Sequence, residues 1–214
     1  MLRPLDRTGR DGRRTARTTL LFVLVLVPAF WLVPLDGRPR ERADDLPVLG
    51  RVADFSLLSQ ADAPVTRAAF EGEPWVANFA FTRCASVCPR ITQTMRAAQK
   101  KAQEEDVGLR FVTFSVDPEH DQPELMKSYA ETYGADFSSW TFLTGTSKAI
   151  EGVARSFSVG FDDQIDPTRE DLGIMHSGQL VLVDEEGRIR GYYPSTDEGV
   201  ESKIVGDLKR MASR

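Results

Sequence analysis

The chain contains five short runs of apolar, β-branched and aromatic residues, each about as long as a β-strand. Such runs predict buried strands. The predicted strands are PWVANFAF (74–81), LRFVTFSV (109–116), SWTFLTG (139–145), GQLVLVD (178–184) and RIRGYYP (188–194). The last two are joined through DEEGR, a turn that contains glycine, and they therefore predict an antiparallel hairpin.

Apolar residues also recur at helical spacing between these runs. The clearest series follows the first strand and consists of Val87, Ile91, Met95, Ala98 and Ala102. Three further helices are predicted over 122–134, 146–157 and 197–212. The first of these has Pro123 near its start and Gly134 after its end, and the second is capped by Thr146 or Ser147. Strands that alternate with helices and end in a hairpin predict an α/β sandwich with a mixed central sheet.

The N-terminal region has a different composition. Residues 1–17 contain six arginines and two aspartates, and residues 18–35, TTLLFVLVLVPAFWLVPL, carry no charge. A helix of this length spans roughly 27 Å, close to the hydrocarbon thickness of a bilayer. Because no small-x-small cleavage site follows, we interpret 18–35 as an uncleaved transmembrane helix rather than a signal peptide. The arginine-rich tail is expected to stay in the cytoplasm, which places the bulk of the chain on the other side.

This pattern divides the chain into a basic cytoplasmic tail (1–17), a transmembrane anchor (18–35), a tether (36–46) and a folded domain (47–214). The tether is rich in Arg, Asp and Pro, as is typical of a solvated linker. Beyond residue 42 the chain holds 18 basic and 28 acidic residues, a net charge of −10. Such acidity argues against nucleic acid as a partner. We predict a single-pass protein of the inner (cytoplasmic) membrane with its folded domain on the periplasmic side.

Both cysteines lie in FTRCASVCPR, where the first predicted strand passes into the first predicted helix. Pro89 is tolerated in a first helical turn, so Cys84 and Cys88 are expected at the helix N-terminus with their sulfurs close together. The positive end of the helix dipole favours thiolate over thiol. A structural disulfide, a redox couple and a soft-metal site are all compatible with this geometry. A disulfide across so short a loop would add little stability, and C-x3-C matches the C-x2-C of thioredoxin-like oxidoreductases less well.

The two histidines differ in their surroundings. His120 lies among charged residues in VDPEHDQPE and is interpreted as a solvated loop residue. His176 stands just before the strand GQLVLVD. In a thioredoxin-like sandwich the loop before that strand lies beside the first helix, so that His176 would converge with Cys84 and Cys88. Thiolates select Cu(I), and imidazole also suits Cu(II) and zinc. A structural zinc site would more often have a fourth strong ligand.

Three segments resemble the Sco/SenC family of membrane-anchored copper chaperones. They are VANFAFTRCASVCPRIT (76–92), FVTFSVDPEHDQPELMKSYAETYG (111–134) and HSGQLVLVDEEGRIRGYY (176–193). The combination of C-x3-C-P, S-V-D-P and a late His-Ser before a strand is specific, and the resemblance extends from about Leu46 to the C-terminus. It implies a thioredoxin-like fold after one transmembrane helix. It also implies that Cys84, Cys88 and His176 are copper ligands.

The resemblance also implies a function. The protein would bind copper, as Cu(I), Cu(II) or both, and deliver it to the dinuclear copper (CuA) centre of cytochrome c oxidase. Its partners would be the CuA-containing oxidase subunit and the lipid bilayer, while the upstream copper donor is not identified. Met175 stands where many members have an Asp that could steady the imidazole, and we interpret it as a packing residue rather than a thioether ligand. The alternative is a thiol-disulfide reductase that uses Cys84 and Cys88 to keep the copper-binding cysteines of the oxidase reduced.

Overall fold

The computed structural model describes residues 46–158 and 178–212. The strands in these ranges are β1 (Gly50–Arg51), β2 (Ser56–Ser59), β3 (Pro64–Thr66), β4 (Trp75–Ala80), β5 (Arg110–Ser115), β6 (Trp140–Thr144), β7 (Gln179–Val183) and β8 (Arg188–Pro194). The helices are α1 (Val87–Glu104), α2 (Pro123–Thr132), α3 (Ser147–Ser156) and α4 (Val200–Ala212), with a 3₁₀ helix over Arg67–Phe70. The strands form one sheet in the order β1-β8-β7-β4-β5-β6-β2-β3.

The centre of the sheet is parallel and its flanks are antiparallel. β4 pairs with β5 and β5 with β6 in parallel, while the other neighbouring strands pair antiparallel. The register places Phe79 opposite Phe114 and Ala80 opposite Ser115. Since parallel strands end at the same edge of a sheet, the loops that follow β4 and β5 lie side by side.

An apolar layer covers each face of the sheet. β4 is buried along its whole length, as expected for a central strand with cover on both faces. On one face lie α1, α2 and α4, which contribute Met95, Met126 and Ile204 to the core. On the other face lie α3 and an aromatic cluster, in which Phe79 stacks on Phe114 with ring centroids 5.2 Å apart. Full burial of such side chains stabilises a fold by roughly 1.5–3 kcal/mol each, so the sheet is a rigid base for the loops at its edge.

The predicted elements are confirmed, and three strands are additional to them. The predicted strands correspond to β4 through β8 and the predicted helices to α1 through α4. Thr146 caps α3, because its hydroxyl accepts a hydrogen bond from the Ala149 N–H (3.2 Å). β1, β2 and β3 are only two, four and three residues long. Strands this short do not show a clear alternation of apolar and polar residues in the sequence. The mixed α/β sandwich expected from the sequence is the observed architecture.

A buried arginine of the β7–β8 hairpin, Arg190, forms an ion pair within the hairpin and joins the hairpin to the start of the described domain. The Asp184 carboxylate lies 2.9 Å from the Arg190 guanidinium, and these side chains are 2% and 4% exposed. Burial opposes ionisation of Asp184, but hydrogen bonds from Arg188 and Arg190 outweigh it and lower the pKa of that carboxyl. Arg190 also donates to the backbone carbonyl oxygens of Leu46 and Pro47. The end of the predicted tether is therefore fixed to the domain.

The predicted transmembrane helix over 18–35 and the tail over 1–17 lie outside the described residues. In the part of the chain that the structure does describe, no helix is both long and apolar enough to span a bilayer. The longest of these helices, α1, has 18 residues and is amphipathic, with its apolar side against the sheet.

Candidate functional site

The two cysteines lie where β4 passes into α1. Cys84 is in the loop after β4, and Cys88 is in the first turn of α1, which begins at Val87. The loop starts with a turn in which the Cys84 N–H donates to the Phe81 carbonyl oxygen (3.2 Å). Pro89 follows in the first helical turn, where its missing N–H removes no helical hydrogen bond. The predicted placement at a helix N-terminus is confirmed.

The Cys84 sulfur takes the place of a helix-capping side chain. The Cys88 N–H donates a hydrogen bond to it (3.4 Å), whereas Ser86 at the N-cap position makes no capping bond through its side chain. The Ser86 hydroxyl lies 3.7 Å from the same sulfur. Cys84 itself precedes the helix, and the loop carries its sulfur to the helix end, close to Cys88 as the sequence predicted. Both residues are free thiols.

The two thiols differ in exposure and in pKa. Cys84 is 8% exposed and Cys88 is 1% exposed. Burial raises the pKa of Cys84, but the hydrogen bonds that its sulfur receives from Cys88 and Ser86 outweigh burial, so the pKa is lowered overall. Burial and the hydrogen bond to Cys84 raise the pKa of Cys88 to about 12. Cys84 is therefore the thiol that ionises first and the better nucleophile of the two.

The loop that follows β5 (116–122, the acidic loop) is hydrogen-bonded to the loop between β4 and α1 (81–86, the cysteine loop). The buried Asp121 carboxylate accepts hydrogen bonds from the Thr82 N–H (3.1 Å) and the Thr82 hydroxyl (2.5 Å). It also accepts one from the Ser115 hydroxyl (2.7 Å). Next to this contact, the Arg83 guanidinium donates to the Asp117 carboxylate (2.6 Å). The two loops are thus linked at the two residues that precede the first cysteine.

No motif in the sequence marked Asp121 or Thr82 as part of this site. Their positions after two neighbouring parallel strands could have identified them. VDPEHDQPE follows β5 directly, and the carboxyl ends of neighbouring parallel strands meet at one edge of a sheet. His120 in the same loop has an exposed side chain, as expected for a solvated loop residue.

The start of β7 lies against the first turn of α1. A β-carbon built on Gly178 would be 3.6 Å from a γ-carbon of Val87. The backbone of Gly178 is held by the residue that follows β8, because its carbonyl oxygen accepts a hydrogen bond from the Ser195 N–H (2.7 Å). The start of β7 therefore lies beside the cysteine-bearing helix.

The predicted third ligand, His176, and its neighbour Met175 lie outside the described residues. The structure describes Cys84 and Cys88 and brings them together. In the described part of the chain, no three His, Cys, Asp or Glu side chains are grouped closely enough to hold a metal ion.

A sequence model of SCO1/SenC proteins matches residues 48–213. The chain belongs to the SCO1/SenC family. The match includes the cysteine loop, the acidic loop after β5 and the segment with His176. The resemblance carried by these segments is thereby confirmed.

Known members of the family are similar over most of the folded domain. The SCO1 protein homologue of Bacillus subtilis (strain 168) is 34% identical over 169 residues, which cover 78% of this chain and 86% of the relative. The solved structure of BsSco, a member of the Sco family of cytochrome c oxidase assembly proteins with a disulfide switch, is 30% identical with a TM-score of 0.67, over 79% of this chain and 98% of that one. Arabidopsis thaliana ScoI, solved with copper bound, is 26% identical with a TM-score of 0.64, over 76% of this chain and 99% of that one. The thioredoxin-like arrangement implied by the resemblance is confirmed.

The difference between the two thiols predicts selective alkylation. At pH 8 iodoacetamide should modify Cys84 roughly tenfold or more faster than Cys88, because the reagent attacks the thiolate. The rate at Cys84 should fall as pH falls through its pKa. Cys88→Ala removes the thiol that donates to Cys84, so the pKa of Cys84 should rise and its rate at pH 7 should drop. Peptide mass spectrometry of the full chain gives both rates.

Unfolding in urea serves as the control, since it should make the two sites react alike. Equal rates in the folded protein would contradict the assignment of Cys84 as the sulfur that ionises first.

Proposed function

We propose that this protein is a copper chaperone that binds copper through Cys84, Cys88 and His176 and delivers it to the CuA centre of cytochrome c oxidase. The observation that carries the proposal is the pair of free cysteines at a helix N-terminus, where the Cys88 N–H donates to the Cys84 sulfur, in a SCO1/SenC family member. Arabidopsis ScoI has been solved with copper bound, and BsSco belongs to a family of cytochrome c oxidase assembly proteins. These relatives support copper as the cargo and an oxidase as the destination.

The donor set fits a soft cation. Thiolate sulfur is the ligand type that selects Cu(I). The hydrogen bonds to Cys84 and the positive end of the α1 dipole both favour its thiolate form. Two sulfurs are enough for Cu(I), and an imidazole makes the site suitable for Cu(II) as well.

His176 is proposed as the third ligand because of where β7 begins. Gly178 lies against Val87, next to the second cysteine. His176 precedes Gly178 by two residues in the sequence, and two residues of chain reach at most about 7 Å. The described residues supply no competing histidine beside the thiols, since His120 is exposed on the acidic loop.

Copper is the cargo, so the site must also release it. A site with three protein ligands leaves one direction open to the ligands of a receiving protein. Cys84 is the more exposed sulfur and therefore the one that an incoming ligand approaches first. Both thiols must be reduced for loading, because a disulfide offers no thiolate.

A thiol-disulfide reductase is the second candidate function, and the unequal thiols favour it. Exchange needs an attacking thiolate and a second thiol that resolves the mixed disulfide. Cys84, with its lowered pKa, would attack the target disulfide, and Cys88 would then displace the target as a free dithiol. The Cys84–Cys88 pair would leave this cycle as a disulfide. A reductase of this kind requires no imidazole, so His176 distinguishes the two functions.

The proposed location is the inner (cytoplasmic) membrane of a bacterium, with residues 18–35 as the anchor and the copper domain in the periplasm. The support is the uncharged span after an arginine-rich tail. Such a location places the site on the side of the membrane where disulfides persist.

Copper binding tests the ligand set. The full-length protein in detergent should bind one Cu(I). Cys84→Ser or Cys88→Ser should weaken binding by more than roughly a hundredfold, because a neutral hydroxyl does not replace a thiolate for a soft ion. His176→Ala should retain Cu(I) and lose most of its Cu(II) affinity. Competition titration with copper chelators measures both, and His120→Ala is the matched control. Unchanged Cu(II) affinity and absorption in His176→Ala would require another third ligand.

Oxidase assembly in cells separates chaperone from reductase. His176→Ala should lower the amount of active copper-dependent oxidase, and added copper should restore part of it, because His176 serves the metal and not sulfur exchange. The measurement is oxidase activity and copper content of isolated membranes, beside the dithiol exchange rate of the same variant. Normal assembly in His176→Ala together with failure in both cysteine variants would favour the reductase.

The mass of the mature protein tests the anchor. Protein extracted from membranes should retain residues 18–35, and its intact mass should match that of the uncleaved chain. The claim does not survive if the mature N-terminus maps downstream of Leu35.

A further inference from the structure

Asp121 is a buried charge without a cationic partner. Its side chain is 0% exposed, and its hydrogen-bond partners are the N–H and hydroxyl of Thr82 and the hydroxyl of Ser115, all neutral groups. In the part of the chain that the structure describes, no Lys, Arg or His side chain pairs with this carboxylate. A buried carboxylate without a cation is costly. The stability of the fold therefore does not explain why a charged group occupies this position.

The hydrogen bonds of Asp121 converge on the cysteine loop. One carboxylate contacts both the N–H and the hydroxyl of Thr82, two residues before Cys84. The same carboxylate accepts a hydrogen bond from the Ser115 hydroxyl, which in turn accepts one from the Asp117 N–H (3.1 Å). Asp121 thus fixes Ser115, at the end of β5, relative to Thr82, just after β4.

The Asp121 carboxylate also brings a negative charge next to the cysteine loop, because it accepts hydrogen bonds from Thr82, two residues before Cys84. A fixed negative charge at this position opposes further negative charge in the loop. A negative potential at this position has the opposite effect on a bound cation, which it attracts. The carboxylate is therefore unfavourable for a pair of empty thiolates and favourable for a metal between them.

We propose that Asp121 is a positioning residue of the copper site, which holds the cysteine loop through Thr82 and whose charge favours Cu(II) relative to Cu(I). This inference rests on the proposed function. Two thiolates with Cu(I) carry a net charge of −1, and two thiolates with Cu(II) carry none, because each thiolate contributes one negative charge. A fixed carboxylate next to the pair disfavours the more negative complex. The charge of Asp121 therefore contributes to whether the bound copper is Cu(I) or Cu(II).

The same contacts affect the metal-free pair. Oxidation joins the Cys84 and Cys88 sulfurs in an S–S bond, releases two protons and passes two electrons to an oxidant such as glutathione disulfide, which becomes two glutathione thiols. A loop that is held in place gives the two sulfurs a high effective concentration for this step. When the loop is released, the equilibrium moves towards the dithiol.

The test compares four variants of the full-length protein in detergent. Asp121→Asn keeps the shape and removes the charge. Thr82→Val keeps the charge and removes one hydrogen bond to it, while Thr82→Ser retains that hydroxyl. Asp184→Asn is the control, because it removes a buried carboxylate at the opposite end of β7, where loss of an ion pair should lower stability without reaching the site. Each variant is measured for its Cu(II)/Cu(I) midpoint potential, Cu(II) absorption, glutathione equilibrium and urea unfolding midpoint.

The expected results separate charge from position. Asp121→Asn should shift the copper midpoint to more positive values and weaken Cu(II) binding by about tenfold, as is typical when a group that supports a ligand is removed. Thr82→Val should leave the copper midpoint nearly unchanged but move the glutathione equilibrium towards the dithiol and alter the Cu(II) absorption. Thr82→Ser should restore the wild-type values. Asp184→Asn should lower the unfolding midpoint and change none of the other measurements.

Specific outcomes would overturn the inference. It fails if Asp121→Asn has the wild-type copper midpoint and the wild-type glutathione equilibrium, or if its changes match those of Asp184→Asn. If Asp121→Asn does not fold, the Thr82 pair decides, and a Thr82→Val protein identical to wild type in absorption and glutathione equilibrium overturns the inference. Failure of the wild-type protein to bind copper would instead overturn the proposed function, and the glutathione equilibrium alone would then decide whether Asp121 positions the cysteine loop.

Discussion

The parallel pairing of β4 with β5 is the constraint on which the candidate site depends. Because both strands run in the same direction, they release their loops at one edge of the sheet. The Val116 N–H still donates to the Ala80 carbonyl oxygen (3.0 Å), so the pairing persists to the point where the loops begin. Apolar layers on both faces keep these strands in register. The cysteine loop and the acidic loop are therefore neighbours although more than 30 residues separate them in sequence.

At that edge the start of a helix and the reactivity of a thiol depend on the same hydrogen bond. The Cys88 N–H is one of the amides that have no partner inside the helix, and the Cys84 sulfur accepts from it. This bond completes the helix end and also helps to lower the pKa of Cys84. The buried position of Cys88 has the opposite effect on its own thiol. Two identical side chains four residues apart thus acquire different chemistry.

The buried polar group next to the cysteine loop is a carboxylate. Asp121 holds the residues that precede Cys84 through Thr82, and its hydrogen-bond donors are neutral groups. Met175 occupies the position where, as the family resemblance implies, many members place an Asp before the histidine. A carboxylate is therefore missing on the histidine side of the proposed copper site, while one is present on the cysteine side. This distribution of charge distinguishes the chain's site from a plain thioredoxin-like dithiol.

The sequence by itself determined the strands β4 to β8, the four helices and the position of the cysteines at a helix start. These features are local, because burial produces a period of two or 3.6 residues and Pro89 is restricted to a first helical turn. The motifs also indicated the family. Sequence alone did not reveal that the Cys84 sulfur would cap the helix or that Asp121 would bind Thr82. Those contacts depend on which strands are neighbours and on the exact register between them, and only the packed tertiary structure decides both.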